Sequence, residues 1–297
     1  MSVSYKHLMS QGSVISGMGS LLINAFQSNG SGAIIVPGQP IEEEVVPRPK
    51  KLVKDYIRAI GGDPSSYNGT LPYHMFPQWG FGAAARTLKP LPYPLAKVVN
   101  GGCSIEVKKP IPANETLTVS AQLISVDDNG RRVLIDQEVI TKSQSGEELM
   151  VAHLYPVIPL KQKGGRKTSK PKPSVPLHMR EICFQKIRAN AGLDFAKLTG
   201  DINPIHWIPA YARMSGFKNT ILHGFSTMAR AMEAVRRHRV PTGKFISKFE
   251  VEFRRPLVLP AKVGIYVSED NEICVGDALG GPAYMEGRYE LKEQKEQ

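Results

Sequence analysis

The spacing of apolar residues predicts two helices followed by strands in the first half of the chain. Residues 51–62 keep their large apolar side chains on one helical face and end in two glycines. Residues 77–88 begin with a proline and are rich in small residues, which favours a second helix. Apolar and polar residues then alternate, as in half-buried strands, in four runs: 103–109, 116–126, 132–141 and 148–157. Helices followed by an antiparallel meander predict an α+β layered fold.

The same pattern returns about 140 residues later. Ile105-Glu-Val-Lys-Lys-Pro110 resembles Val251-Glu-Phe-Arg-Arg-Pro256, and residues 55–63 resemble residues 194–201. Such an offset is too long for a solenoid repeat, so it indicates a duplicated domain. The second copy predicts four further strands, at 244–254, 261–268, 273–277 and 283–291.

A basic segment separates the two copies. Residues 161–176 are rich in glycine and proline, contain six Lys and Arg residues and show no apolar periodicity, which is typical of a linker. We therefore predict four segments: an extension at 1–49, a first copy at 50–160, this linker, and a second copy at 177–297. Within the extension, residues 13–26 predict a short amphipathic helix that packs on the first copy, and they are too few to span a bilayer.

Composition narrows the class of protein. The 297 residues are 41% hydrophobic, which indicates a globular fold. Three widely spaced cysteines form neither a disulfide framework nor a metal motif, so a reducing, cytoplasmic location is expected. About half of the net charge of +11 lies in the linker, and aromatic residues do not interleave with the basic ones. The charge therefore does not predict binding to nucleic acid.

The candidate chemistry is concentrated in the string Gly200-Asp201-Ile202-Asn203-Pro204-Ile205-His206. Glycine permits a tight bend, and Asn-Pro interrupts regular structure. On a continuous helix, Asp201 and His206 would lie on different faces. Across a bend they can converge, which suits two groups that share proton transfer.

A second feature follows at Leu222-His223-Gly224, where a run of helix-forming residues begins. The first N–H groups of a helix have no internal partner and lie at the positive end of the helix dipole. Gly224 has no side chain to obstruct its N–H. A carbonyl oxygen placed there would be polarised as in an oxyanion hole.

The whole string resembles the hydratase motif of the MaoC-like, (R)-specific enoyl-CoA hydratases. The motif positions are filled by Phe195, Thr199, Gly200, Asp201, Asn203, Pro204, Ile205, His206 and Ala212, and downstream by Gly216-Phe217 and Leu222-His223-Gly224. The resemblance covers roughly residues 51–291 and is strongest in the second half. One departure is Ile208, where many relatives have an acidic residue that could cap the following helix.

The resemblance implies a double hotdog, in which two antiparallel sheets each wrap round a central helix and the site lies between the two halves. The first copy has Gly62-Asp63, but Asn68 stands five residues later and no Asn-Pro-x-His string is present. His74 is interpreted as structural. The first half is therefore expected to be degenerate and to line an acyl-chain tunnel.

The implied activity is (R)-specific 2-enoyl-CoA hydration, or the reverse dehydration of 3-hydroxyacyl thioesters, in fatty-acid metabolism. Asp201 and His206 would hold the water and handle both protons, although the sequence does not say which is the base. Asn203 would orient the bend or the water, and Gly224 would bind the thioester carbonyl. The remaining candidates for substrate binding are His223, Trp207, Arg254 and Arg255.

The resemblance also bears on partners. Coenzyme A or an acyl carrier protein would carry the substrate, and neither a metal nor a redox cofactor is required. The assembly state is left open, with a homodimer of double hotdogs as one option. Two alternatives remain: a hotdog thioesterase, which would release free thiol, and a basic binding or scaffold subunit, which would not turn over crotonyl-CoA.

Overall fold

The computed structural model describes residues 3–24, 34–160 and 172–294. The helices are α1 Gly12–Asn24, α2 Lys50–Ala59, α3 Pro77–Thr87, α4 Ala191–Thr199, α5 Pro209–Met214 and α6 Gly224–His238. The strands are β1 Ile41–Val45, β2 Thr70–Leu71, β3 Val99–Val107, β4 Ile111–Pro112, β5 Leu117–Asp128, β6 Arg132–Lys142, β7 Glu148–Pro159, β8 Arg180–Ile187, β9 Lys244–Phe253, β10 Ala261–Val267, β11 Glu272–Gly276 and β12 Ala283–Glu293. Short 3-10 turns lie at Tyr5–Ser10, Pro64–Tyr67, Tyr73–Met75, Leu95–Lys97 and Pro204–His206.

Ten strands form one antiparallel sheet in the order β1-β5-β6-β7-β3-β9-β12-β11-β10-β8. The middle pair, β3 and β9, comes from the two repeated sequences, and Cys103 lies opposite Val251 across it. Of the first five strands in this order, β1 comes from the N-terminal extension and the other four from the first copy, whereas the last five belong to the second copy. The prediction of an α+β double hotdog is confirmed, with the two sheets joined edge to edge.

The central helices of the two halves are α3 and α6. Both are largely buried, and their first turns meet through an edge-to-face contact of Phe76 with Phe225, whose ring centroids are 5.7 Å apart. Small residues allow α3 to pack closely on α1, because a Cβ added at Gly82 would lie 2.8 Å from the carbonyl oxygen of Ser13. The two helices therefore bring the interiors of both halves to one interface.

Most predicted elements are present, whereas two edge strands were not predicted. The predicted helices at 51–62 and 77–88 correspond to α2 and α3, and all eight predicted strands have counterparts. Strands β1 and β8 lie at the two edges of the sheet. They are rich in charged residues, which edge strands tolerate and which weaken the alternation used for prediction.

The N-terminal segment packs on both halves, and its helix α1 packs on the first copy, as predicted. Helix α1 contacts α3, but the residues ahead of it contact α4 of the second copy. Gln11 shows the connection: its amide donates to the carbonyl of Leu198 at 2.9 Å, and its carbonyl accepts from Gln78 of α3 at 2.9 Å. Residues 25 and 26 of the predicted helix lie outside the described residues.

The four-segment division stays a prediction. Residues 161–171 of the predicted linker lie outside the described residues. Of the rest, Ser174 and Val175 form bridges with Pro282 and Leu279 of the second half. Within the described ranges, no helix is both long and apolar enough to cross a bilayer.

Candidate active site

The bend that carries Asp201 begins at the end of α4. Gly200 has a φ of +83°, a conformation that other residues adopt only with strain. A side chain there would also meet Val14 of α1, since an added Cβ would lie 2.9 Å from the Val14 Cβ. Asn203 then stabilises the bend: its N–H donates to the Asp201 carboxylate at 3.4 Å, and its side-chain oxygen accepts from Ile205 at 3.2 Å. The prediction that Asn203 orients the bend agrees with these contacts.

His206 lies at the end of the 3-10 turn and is 8% exposed. Its Nδ1–H donates to the carbonyl of Ile221 at 2.8 Å, so in the neutral ring Nε2 bears the lone pair. Its backbone lies tightly against the first turn of α4, because a Cβ added at Gly192 would overlap the His206 carbonyl oxygen. The imidazole is therefore held in one orientation by two different segments.

The bend brings the predicted pair together. A carboxylate oxygen of Asp201, a ring nitrogen of His206 and a ring nitrogen of His223 all lie within 4.8 Å of one another. One water that makes two hydrogen bonds of about 2.8 Å can span such a gap. The arrangement can thus hold a water molecule between a carboxylate and an imidazole.

Burial brings the pKa values of Asp201 and His206 closer to each other. Burial raises the pKa of Asp201 above its ordinary value of 3.8, although His206 and the Asn203 amide act in the opposite direction. Burial likewise lowers the pKa of His206 below its ordinary value of 6.5, against the effect of Asp201 and of the bond to Ile221. Both shifts make it easier for a proton to pass between the two groups.

His223 lies directly behind this pair and is 1% exposed. Its ring stacks on that of His206 with centroids 3.5 Å apart and planes inclined by 22°. Its Nε2–H donates to the main-chain carbonyl of Asp201 at 3.0 Å. His223 belongs to the cavity wall described below, so its role in substrate binding stays a prediction, although protein covers most of its ring.

Gly224 is the first residue of α6, as predicted. No described backbone carbonyl accepts from its N–H. The ring of Phe253 covers the position that a side chain would occupy, because a Cβ added at Gly224 would lie 2.9–3.0 Å from its carbons. The helix therefore presents an unobstructed donor at its positive end.

A cavity of about 430 Å³ connects these groups. Its walls include Asp201, Asn203, His206 and Gly224 from the second half, and from the first half they include Phe81, Ala84, Ala85, Leu88, Gln137 and Leu154. The first half contributes a mostly apolar wall, formed by α3 and the strands beside it. This placement agrees with the expectation that the first half lines a tunnel.

The other predicted substrate contacts divide into two groups. Arg254 and Arg255 line the cavity; Arg254 pairs with Glu286 at 2.7 Å, and Arg255 donates to the carbonyl of Pro173 at 2.7 Å. Trp207 does not line it and instead donates from its indole to the carbonyl of Ile202 at 3.0 Å. Trp207 thus stabilises the bend from outside.

Asp201, His206 and His223 are also spaced closely enough to be considered as ligands of a metal ion. An imidazole lone pair lies in the plane of its ring, and these two rings are stacked face to face. Their lone pairs consequently do not converge on one point. The arrangement suits proton transfer better than coordination of a cation.

Comparisons with known proteins agree with this architecture. Residues 168–278 match the family described as MaoC like domain. Enoyl-CoA hydratase 2, peroxisomal, of Arabidopsis thaliana is 27% identical over 157 residues, which are 48% of this chain and 50% of that protein. The 3-hydroxyacyl-thioester dehydratase X of Mycobacterium tuberculosis is 36% identical over 100 residues, which are 34% of this chain and 32% of that protein. The matches thus span half or less of these relatives.

The fold is also that of a solved structure. The crystal structure of HtdX of Mycobacterium tuberculosis superimposes with a TM-score of 0.69 at 19% identity, covering 84% of this chain and 99% of that one. The chain is therefore a double-hotdog protein that holds a carboxylate–imidazole pair beside a free helix N-terminus. In its second half, residues 168–278 are similar to the family described as MaoC like domain.

Several residues of the site could not be found from the sequence. Gln137 lies in the cavity wall on β6, where its amide donates to the carbonyl of Ala84 and to the hydroxyl of Thr87, both at 2.6 Å. The alternating pattern of β6 predicts a strand but does not indicate that Gln137 belongs to the cavity wall. The histidine next to Gly224 was noticed in the motif, but its stacking on His206 depends on the relative placement of two segments.

Proposed function

We propose that the chain is a hydro-lyase that adds water to 2-enoyl thioesters and catalyses the reverse dehydration of 3-hydroxyacyl thioesters. The observation that carries this proposal is that Asp201, His206 and the free N–H of Gly224 line one largely apolar cavity. Two proton-transfer groups face a position where an oxyanion can be stabilised. An apolar wall beside them suits an acyl chain.

The reaction follows from these positions. The thioester carbonyl accepts from Gly224 N–H, which draws electrons from the conjugated double bond and leaves the β-carbon open to attack. Water held between Asp201 and His206 forms the new C–O bond, while the π electrons move toward the thioester oxygen. One water proton passes to the pair and one proton passes from it to the α-carbon. Because Nδ1 of His206 already donates to Ile221, Nε2 is the ring atom that exchanges a proton.

The finer points belong to the same proposal. The product is assigned the (R) configuration, because the motif Gly200 to His206 resembles that of (R)-specific hydratases. Coenzyme A or an acyl carrier protein supplies the thioester. Cytoplasmic location and a homodimer stay predictions; the Arabidopsis relative is named peroxisomal, so location in a peroxisome is an equal candidate.

The first test is an assay with crotonyl-CoA and longer trans-2-enoyl-CoA esters. Loss of the conjugated chromophore measures hydration, chiral analysis of the alcohol gives its configuration, and a thiol reagent detects hydrolysis. We expect hydration without thiol release. Thiol release would favour the thioesterase, and absence of both reactions would favour a non-catalytic subunit.

The second test uses matched variants. Asp201→Asn and His206→Ala should each abolish hydration without unfolding the protein. Asp63→Asn is the control, since Asp63 follows a glycine in the first half but is exposed and caps a short turn through Ser65 at 2.9 Å. Turnover at the wild-type rate in both site variants would contradict the assignment.

A further inference from the structure

His223 connects three parts of the site; it belongs to the cavity wall, but only 1% of the residue is exposed. It is the N-cap residue of α6 and so precedes Gly224 directly. Its Nε2–H donates to the main-chain carbonyl of Asp201 at 3.0 Å, and its ring stacks on His206 at 3.5 Å. One side chain thus contacts the segments that carry the helix donor, the carboxylate and the imidazole.

Resting on the proposed function, we propose that His223 is a positioning residue that holds these three groups in one reactive arrangement. Its ring is 1% exposed and packs against Phe195 as well, with centroids 5.0 Å apart. Its contacts run to the segments of Asp201, His206 and Gly224, and it presents little of its own surface to the cavity that it helps to line. Misplacing a reacting group by about 1 Å can cost about a hundredfold in rate, so such a residue has a measurable role.

The hydrogen bond fixes the protonation state that this role requires. A carbonyl can only accept, so Nε2 of His223 bears the proton in the bond to Asp201. The other ring nitrogen, Nδ1, is buried and has no hydrogen-bond partner among the described residues. A proton there would be a buried N–H without a hydrogen-bond partner and would place positive charge against the ring of His206. Burial, and then His206, accordingly lower the pKa of His223 well below 6.5.

A neutral His223 therefore serves as a fixed surface for its neighbour. The titratable groups placed against His206 are Asp201 on the bend and His223 on α6. Of these, only Asp201 is an acid. The stacked ring keeps water from that face of His206, and the hydrogen bond keeps the Asp201 backbone at a set distance.

Two substitutions separate these contributions. His223→Gln retains a side-chain N–H that can reach the Asp201 carbonyl but removes the aromatic ring. His223→Phe retains a ring that can stack on His206 but removes the donor. The matched control is His74→Gln, since His74 stands at the corresponding His-x-Phe position of the sequence ahead of α3 and lies outside the cavity wall.

We expect kcat for crotonyl-CoA to fall about ten- to a hundredfold in both His223 variants while KM changes less than about twofold. In His223→Gln, the acid limb of the pH profile should also move to higher pH, because water entering the vacated space relieves the burial of His206. Unchanged kcat and an unchanged profile in both variants would overturn the proposal. So would losses that match those of His74→Gln at equal loss of thermal stability.

A measurement that needs no turnover distinguishes this proposal from the proposed function. NMR titration of the His206 ring nitrogens reports their tautomer and pKa in the wild type and in both variants. An altered titration in the variants supports the positioning role even if the wild type hydrates no enoyl thioester tested. Identical titrations in all three proteins overturn it, whatever the activity of the wild type.

Discussion

The two halves of the molecule place the same elements around two very different interiors. In the second half, Asp201 follows the helix-ending glycine and His223 precedes the central helix 22 residues later. In the first half, the corresponding Asp63 and His74 are only 11 residues apart. The longer connection contains the 3-10 turn with His206 and the short helix α5. The acid–base site therefore depends on a loop that only one half has.

The residues at the start of the central helices differ as well. Leu222-His223-Gly224-Phe225 opens α6, whereas Tyr73-His74-Met75-Phe76 precedes α3. The methionine side chain is fully buried in the core. His74 is enclosed by Tyr56 at 3.2 Å and Tyr67 at 3.3 Å, which agrees with its interpretation as structural.

The two central helices differ most in the side chain that each presents to the interior of the opposite half. Ten residues after His74, α3 presents Ala84 to the cavity. Ten residues after His223, α6 presents Glu233 to the first half, where it accepts from Tyr67 at 2.6 Å. Glu233 also accepts from Arg236 of the same helix at 2.6 Å. A small apolar residue leaves one interior open, and a buried charged network fills the other. Among the described residues, the duplicated fold thus keeps two frameworks, one with a cavity beside Ala84 and one whose interior is occupied by the Glu233 network.

The largest effect on activity is expected when the residue that the first half has ahead of its central helix is introduced at the start of α6. Gly224→Met gives α6 the residue found at Met75, and its side chain would collide with Phe253. Methionine retains the backbone N–H, but the collision would shift it away from the thioester oxygen. We therefore expect kcat/KM to fall by at least about 10², the usual cost of losing one oxyanion donor. Gly224→Ala should lie between this variant and the wild type. Steady-state kinetics on crotonyl-CoA measures the effect, and retained turnover in Gly224→Met would argue against the helix donor.

A substitution in the Glu233 network should lower the free energy of unfolding and leave the hydration activity unchanged. Although burial opposes it, hydrogen bonds from His74, Arg236 and Tyr67 lower the pKa of Glu233 to about 2. Glu233→Gln should reduce the free energy of unfolding by about 3 kcal/mol, since it leaves a partly buried arginine without its counter-charge. Urea unfolding near neutral pH measures this loss.

An exposed ion pair provides the control for Glu233→Gln, and the stabilisation by Glu233 should depend on pH. Glu148→Gln breaks an exposed pair with Lys108 and should cost less than about 1 kcal/mol. Because the folded-state pKa of Glu233 is depressed, its contribution is present above pH 4.5 and is lost as the pH falls toward about 2. Equal losses for the two variants would show that the Glu233 network adds nothing beyond a surface ion pair.

Narrowing the open interior should change substrate preference. Ala84→Leu adds three carbons to the cavity wall contributed by α3. We expect kcat/KM for long enoyl chains to fall about tenfold, because a few methylenes in an apolar pocket are worth about 1–3 kcal/mol. Crotonyl-CoA is the internal control and should react within about twofold of the wild-type rate. Equal loss for short and long chains would place the acyl chain elsewhere.

The smallest expected effect is the pH profile of the unaltered protein. Burial raises the pKa of Asp201 from 3.8 and lowers that of His206 from 6.5. Hydration that needs an ionised carboxylate and a neutral imidazole should decline on acidification, with a midpoint between these values. A midpoint above 6.5 in kcat/KM would mean that another group controls the reaction.

The strands of the sheet and the duplication could both be predicted from the sequence. Alternating residues predicted β5, β6 and β7, because each strand buries one face and exposes the other. The repeated string around Ile105 and Val251 predicted the duplication. It did not reveal that these strands pair with each other, since pairing is a contact between residues about 146 positions apart.

By itself, the sequence determined the local geometry of the site: a glycine that permits the bend before Asp201, an Asn-Pro that interrupts the helix, and a glycine at the start of α6. These are properties of single residues and their neighbours, so they can be read along the chain. Only the tertiary structure decided that His223 stacks on His206, that Gln11 joins α4 to α3, and that Ala84 leaves space where Glu233 fills it. Each of these depends on segments distant in sequence, whose packing no local pattern encodes.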